Sequence, residues 1–347
     1  MLIYGAYGYT GVLIVEEALE QGLRPTLAGR DPDKLKTLAE RYGLPSVTLD
    51  LRDQAALDEA LKDRRVVLNC AGPFAHTYRP MAEACLRQHV HYLDITGEIQ
   101  VFEALAALDD AAIKAGVMLL PGVGFDVVPT DCLAAHLKDR MPKATHLALA
   151  FRGTGGFSRG TRRTMLKGLE DGGAVRRAGR IVQVPAAWKT RHVNFGEGKP
   201  RAAVSIPWGD VATAWHSTGI PNIVVYAALP LAQIRSLRMS RYLGWLLRNH
   251  WVQVRLQRRI DSGTAGPSGA TRKSSESLIW GEVRNAEGQV LQSRMRCANA
   301  YSFTARSAVG ATRRVLSGDA RPGFQTPSRV FGIGFALASG ARITDLP

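Results

Sequence analysis

Cysteine is scarce in this chain of 347 residues: Cys70, Cys85, Cys132 and Cys297 are the only four, far apart and without CxxC spacing. That excludes a disulfide framework, a CxxC metal ligand set and a paired redox centre, and it leaves a reduced, cytoplasmic setting as the expectation. Cys70 follows a strand-like run and is read as a small buried hydrophobe. Long apolar runs are missing as well. The longest, Ile220 to Ile234, is broken by Pro221 and Pro230 and is too short to span a bilayer. A strand-like run begins at residue 2, so a leader peptide is not expected. Acidic residues are thin in the second part of the chain. Met1 to Asp126 holds 12 Lys/Arg against 18 Asp/Glu, whereas the remainder holds 33 against 12. The net charge of +15 therefore conceals two halves of opposite sign, and the basic half is expected to meet something anionic.

What is present suits a folded protein of two cores: 46% hydrophobic residues, 22% charged, no repeat and no low-complexity tract. The first part alternates short apolar runs with helix-period segments. Strands are expected at Leu2–Tyr4, Pro25–Ala28, Ser46–Leu49, Val66–Asn69, His91–Asp94 and Val117–Leu120. Between them, helices are expected from Val12 to near Gly22, then over Pro32–Tyr42, Gln54–Lys62, Arg79–Gln88 and Gln100–Ala115. This alternation implies right-handed crossovers and a parallel sheet covered on both faces. The fold class read from it is α/β, a Rossmann-type doubly wound parallel sheet with a second α+β domain.

Between the first strand and first helix stands Gly5-Ala6-Tyr7-Gly8-Tyr9-Thr10-Gly11. Such a turn needs glycine for three separate reasons. Gly5 permits the sharp exit from the strand, Gly8 lets backbone approach a pyrophosphate, and Gly11 lets the helix pack close to the sheet. The helix N-terminus then offers N–H groups and the positive end of its dipole to phosphate. At the end of the second strand, where an NAD binder usually carries an acid, the chain reads Gly29-Arg30-Asp31. A guanidinium at Arg30 can grip a 2′-phosphate bidentately, and Lys34 adds charge one turn later. The expected cofactor is thus NADP(H). The plainer alternative keeps Arg30 and Lys34 as solvated residues, with Asp31 capping a helix. Asp50, after the third strand, is expected to border the adenine. Ala71-Gly72-Pro73, after the fourth, forms a small-residue turn beside the cofactor or a turn alone.

Further strings follow the later strands: Ala71-Gly72-Pro73-Phe74, Tyr92-Leu93-Asp94-Ile95-Thr96-Gly97-Glu98, and Gly124-Phe125-Asp126-Val127-Val128-Pro129-Thr130-Asp131. Taken in order with GAYGYTG and AGR, they resemble the saccharopine dehydrogenase-like oxidoreductases, most closely the branch that includes the trans-acting enoyl reductases of polyketide lipid synthesis. The likeness extends through Gly160-Thr161, Gly266-Pro267-Ser268 with Arg272, a hairpin over Leu278–Met295, Tyr301 and Thr304 with the following helix, and Pro322-Gly323-Phe324-Gln325-Thr326-Pro327. It implies an NADP-binding Rossmann domain over 1–126 and a basic α+β substrate or dimerisation domain over 127–303. A C-terminal helix and tail, 304–347, are implied to return to the first domain.

Hydride transfer belongs to the nicotinamide, so the protein must position an acceptor, stabilise the developing charge and supply a proton. Side chains after strands four to six are the natural candidates: His76, Tyr78, Tyr92, Asp94, Thr96, Glu98, Asp126 and Asp131. Tyr92, Asp94 and Asp126 are chosen among them as catalytic. Turn and cap roles stay open for each, and no metal site or Ser-His-Asp arrangement stands out. The expected activity is NADPH-dependent reduction of a small or carrier-bound acyl substrate. A saccharopine-type imine or amino-acid oxidoreductase, and a non-catalytic NADP-binding or membrane-associated protein, are the alternatives.

Two stretches concentrate the basic charge. Arg152, Arg159, Arg162, Arg163, Lys167, Arg176, Arg177 and Arg180 face only Glu170 and Asp171. Arg235 to Arg259 carries seven arginines and no acid, interleaved with Tyr242, Trp245, Leu246, Leu247, Trp251 and Leu256, and reads as an amphipathic basic helix. An acidic acyl carrier protein or coenzyme A, peripheral contact with an anionic membrane, and a merely solvated face all fit this pattern. Nucleic acid does not, because no recognition fold accompanies the charge. A homodimer follows only from the frequency of symmetric oligomers.

Overall fold

Six short strands, β1 (Leu2–Tyr4), β2 (Thr26–Gly29), β3 (Ser46–Thr48), β4 (Val66–Asn69), β5 (His91–Asp94) and β6 (Met118–Leu120), run parallel in the order β3-β2-β1-β4-β5-β6. A seventh, Gly323–Phe324, joins β6 in parallel, with Phe324 opposite Leu119. The inner strands are buried along their whole length because helices cover both faces, which explains their unbroken apolar runs. The edge strand β3 is open to solvent at Ser46 and Thr48. Helices α1 (Tyr9–Glu20), α2 (Pro32–Tyr42), α3 (Gln54–Leu61), α4 (Tyr78–Gln88), α5 (Ile99–Ala106) and α6 (Asp109–Ala115) fill the crossovers. The computed structural model describes residues 1–347 except 154, 157, 161, 163–171, 240–250, 253, 254, 256, 257, 260 and 261.

Expected and observed elements agree closely, with two informative differences. Helix α1 begins at Tyr9, not Val12, so its first turn lies inside the glycine-rich segment. The helix expected over Gln100–Ala115 is broken at Ala107 and Leu108. After the break, Asp109 opens α6 and accepts a hydrogen bond from the Phe324 N–H at 2.6 Å, tying α6 to the edge strand.

The chain divides into two compact units, Met1–Val128 with Tyr301–Phe335, and Pro129–Ala300 with Ala336–Pro347. The second is built on a mixed sheet. Its strands are β7 (His146–Gly153), β8 (Gly173–Arg177), β9 (Arg180–Val184), β10 (Thr190–Val193), β11 (Arg201–Ser205), β12 (Asn222–Ala228), β13 (Glu276–Arg284) and β14 (Val290–Ala298). The main path is β10-β11-β12-β7-β13-β14, antiparallel except for β12 against β7, while β8 branches from β12 and carries β9. Helix α7 (Val128–Arg140) lies directly on β13: a Cβ on Gly281 would stand 2.6 Å from a Leu137 methyl.

The tail departs from expectation. Residues 304–347 were expected to return together to the first domain, but Ala336–Pro347 belong to the second unit. The cause is the strand Arg342–Asp345, which pairs antiparallel with β14. Asp345 secures it, accepting from Ser293 Oγ at 2.7 Å and Arg140 at 2.9 Å, with His136 Nε2 2.8 Å away.

Arg163, Lys167, Thr161, Glu170, Asp171, Tyr242, Trp245, Leu246, Leu247 and Leu256 lie outside the described residues, as does much of the expected helix Arg235–Arg259. The described part of that region includes the helix Leu231–Met239. Among the described residues, no helix is long and apolar enough to cross a membrane.

Candidate functional site

The chain runs from β1 outward to β2 and β3, then returns to β4 on the other side of β1. Reversal of this kind opens a crevice at the carboxyl ends of the two central strands. Because the strands are parallel, the loops after β1, β4, β5 and β6 all emerge along that same edge.

Gly5 leaves β1 with φ +79°, and its N–H donates to the Ala28 carbonyl at 2.8 Å. A Cβ here would stand 2.9 Å from both the Cβ and the backbone N of Ala71, so the loops after β1 and β4 touch through the glycine. Gly8 occupies the cap position of α1, and no side chain caps the helix. Gly11 packs hardest: its Cβ would lie 2.4 Å from the Gly5 carbonyl oxygen and 2.7 Å from that of Ala6. This cradle of backbone, opening onto a helix N-terminus with no competing side-chain acceptor, fits a pyrophosphate.

Tyr7 and Tyr9 hold the loop from either side. The Tyr7 hydroxyl accepts from the N–H groups of Arg30 and Asp31, both at 3.2 Å, and its ring lies where a Cβ on Gly29 would be. Tyr7 thus shapes the turn after β2. The Tyr9 ring meets Tyr301 edge-on, with centroids 5.1 Å apart, and Thr10 follows, half-buried, in the first turn of α1.

At the end of β2, Asp31 caps α2 by accepting from the Lys34 N–H at 3.2 Å, and its other oxygen takes the Lys34 ammonium at 2.5 Å. Lys34 is thus paired with Asp31 at the surface. The Arg30 guanidinium is exposed and makes no hydrogen bond or ion pair among the described residues. It could meet a 2′-phosphate. Asp50 is engaged by Arg52, whose side chain approaches to 2.6 Å and holds the carboxyl down to about 2.

After β4, Asn69 organises Ala71-Gly72-Pro73. Its Oδ1 accepts from the Ala71 N–H at 3.0 Å, and its Nδ2 donates to Thr77 Oγ1, which donates to the Ala71 carbonyl at 2.8 Å. Glu98 reaches across from the next loop and accepts from the N–H groups of Phe74 and Ala75, both at 2.9 Å. The loop beside the cradle is thereby held from two directions. Asn69 escaped the sequence reading, although a polar residue ending the most apolar strand was the available signal. Burial pushes the Cys70 thiol well up, away from thiolate chemistry.

Tyr92 and Asp94 are both fully buried. The Tyr92 hydroxyl donates to Asp94 at 2.6 Å, and the other carboxylate oxygen accepts from the N–H groups of Thr96 and Gly122, each at 2.9 Å. As arranged, the pair braces the ends of β5 and β6 instead of facing solvent. Burial raises the Asp94 carboxyl to about 6 in spite of these donors.

Asp126 is half-buried and lies against Gly97, where a Cβ would stand 2.8 Å from its Oδ2. Burial pushes its carboxyl up to about 7. Thr304 and Ser307 fasten the loop before it: Thr304 Oγ1 accepts from the Phe125 N–H at 3.0 Å, and Ser307 donates to the Val123 carbonyl at 2.7 Å. Asp131, grouped with these candidates in sequence, is buried in the second unit and accepts from Ser217. Among the described residues no cluster of His, Cys, Asp and Glu could hold a metal.

Strand order, glycine cradle and uncapped helix start define a Rossmann-type dinucleotide-binding domain. Residues 1–120 match the model of the saccharopine dehydrogenase NADP binding domain. The chain is similar to a saccharopine dehydrogenase-like oxidoreductase of Mus musculus, 32% identical over 161 residues, covering 41% of this chain and 38% of the relative. It is also similar to a trans-acting enoyl reductase of Mycobacterium ulcerans (strain Agy99), 28% identical over 148 residues, covering 40% of this chain and 35% of that one. The match thus spans less than half the length of either relative. Among solved structures, apo saccharopine dehydrogenase (L-Glu forming) from Saccharomyces cerevisiae superposes with a TM-score of 0.66 at 13% identity, covering 100% of this chain and 99% of the other. That likeness is one of fold.

Proposed function

We propose that the chain is an NADPH-dependent reductase of an activated acyl substrate, small or carrier-bound, of the enoyl thioester type. The observation that carries this reading is the placement of Asp126, a carboxyl raised to about 7, on the same strand-end edge as the dinucleotide cradle. Likeness to the trans-acting enoyl reductase supports the substrate class. When bound, NADPH supplies hydride to the β-carbon. Asp126, still protonated near neutrality, then delivers its proton to the α-carbon and is reprotonated from solvent. Gly97, lacking a Cβ, leaves room for that carboxyl. Tyr92 and Asp94 act as positioning residues, keeping the β5 and β6 loops in register.

Two results are expected. Purified protein should bind NADPH more tightly than NADH, and Arg30→Ala should reduce that preference about tenfold by removing the phosphate's cation. In a panel of thioesters and saccharopine-type imines, NADPH oxidation should appear with enoyl thioesters. The rate should fall as pH rises through about 7, where Asp126 loses its proton, and Asp126→Asn should slow it about a hundredfold at unchanged NADPH affinity. Turnover of the imines alone would overturn the substrate class and leave the cofactor site standing.

A further inference from the structure

Asp50 and Arg52 follow β3, beside the end of β2 that carries Arg30. The register makes them neighbours: Gly29 pairs with Thr48, and the Leu49 N–H donates to the Gly29 carbonyl at 2.8 Å. Arg30 is the next residue after Gly29, and Asp50 the next after Leu49. A carboxylate here is unfavourable for a phosphorylated dinucleotide twice over. It repels the 2′-phosphate, and it competes with that phosphate for Arg30.

The structure shows where Asp50 goes instead. The Arg52 Nε donates to both carboxylate oxygens, at 3.1 and 3.2 Å, its terminal nitrogen donates to Oδ2 at 2.6 Å, and its backbone N–H donates to Oδ1 at 3.0 Å. A single arginine two residues on thus closes around the acid through side chain and main chain together. The Arg30 guanidinium meanwhile takes no carboxylate among the described residues, although its charge reaches Asp50. The Arg52 guanidinium holds the Asp50 carboxyl well below the usual carboxylate range, so the acid is ionised at neutral pH.

We infer that Arg52 determines specificity for the phosphorylated dinucleotide by acting through Asp50, occupying and neutralising the carboxylate so that Arg30 remains open to the 2′-phosphate. The inference rests on the NADP reading of the site. Arg52 is a positioning residue in this role and need not touch the cofactor. A dinucleotide without the 2′-phosphate carries no charge at that point and should not sense the loss.

The test is fluorescence titration of NADPH and NADH against the wild type, Arg52→Ala, Asp50→Asn and the double variant. Arg52→Ala should weaken NADPH binding roughly five- to tenfold while leaving NADH within about twofold, and the loss should shrink at high salt as the charges are screened. Adding Asp50→Asn to Arg52→Ala should restore NADPH affinity. The Arg52 side chain is 90% exposed, so folding should be unaffected, which a thermal melt checks. An equal loss for both dinucleotides overturns the inference, as does no loss at all. A double variant as weak as Arg52→Ala overturns it too, by making Arg52 a direct contact. Failure of the underlying reading looks different: the wild type itself would show no preference for NADPH.

Discussion

Gly11→Ala is expected to lower NADPH affinity on the order of a hundredfold, because it misplaces N–H donors whose hydrogen bonds to a charged phosphate are worth about 1.5–3 kcal/mol each. The added methyl would stand 2.4 Å from the Gly5 oxygen, 2.7 Å from the Ala6 oxygen and 2.9 Å from the Ala6 carbonyl carbon. All three are backbone atoms, so no side chain can swing aside. Either α1 must retreat from the sheet or the loop must move outward, and both displace the N–H groups that would face a pyrophosphate. Overpacking of this kind also costs about 1–3 kcal/mol of stability, so a modest drop in melting temperature should accompany the binding loss. Gly8→Ala provides the comparison, because its methyl would meet a single atom, the Gly5 oxygen, at 3.2 Å. That variant should fold normally and bind more weakly by a smaller factor. Calorimetric titration with NADPH reads both. If Gly11→Ala bound as tightly as the wild type, the cradle would not be the pyrophosphate site.

The parts of this molecule that were legible in the sequence share a physical cause. A parallel sheet buried on both faces forces whole strands to be apolar, so Val66–Asn69 and Met118–Leu120 announced themselves without any partner being known. A sharp strand-to-helix turn packed tightly on its neighbours forces glycine, so the tight exit at Gly5 and the close helix packing at Gly11 could be read locally. Asp31 as a helix cap was equally local, and the structure shows that cap. What stayed hidden depends on contacts across the fold. Asp94 meets Gly122 from 28 positions away, and Phe125 meets Thr304 from 179. The same residue types would suit catalysis if they faced the crevice and bracing if they faced inward, and local pattern does not tell the two apart. The Arg52 clamp on Asp50 spans only two residues. It was overlooked because an Asp-x-Arg triplet on a surface turn has no periodicity to mark it. The tail was misplaced for another reason: pairing of Arg342–Asp345 with β14 is set by where the hairpin edge lies, not by the tail's own composition.

Removing the Asp94 carboxylate should give the largest loss of stability among these variants. Asp94→Ala leaves the Thr96 and Gly122 N–H groups and the Tyr92 hydroxyl without their acceptor in a fully buried setting. At about 1–3 kcal/mol for each stranded donor, partly relieved by local relaxation, the expected cost is about 4 kcal/mol. Asp94→Asn separates hydrogen bonding from charge. Its Oδ1 can still accept from both N–H groups, and its amide can donate to the Tyr92 oxygen, so it should stay folded. The pH dependence then isolates the ionisation. The folded Asp94 carboxyl lies at about 6, above its usual value. Between the usual value and 6 the native state therefore holds a proton that the unfolded chain has released. Stability from this group is complete below about pH 4, declines as pH rises through 6, and is constant beyond; the total is about 3 kcal/mol. Asp94→Asn has no such proton to lose. Its stability relative to the wild type should therefore improve by about that amount across the same window, when denaturant melts are compared at matched pH. A constant difference between the two proteins from pH 4 to 7 would mean that Asp94 does not titrate there. An Asp94→Ala variant as stable as the wild type would remove the brace altogether, and with it the reason for counting Tyr92 and Asp94 as positioning residues.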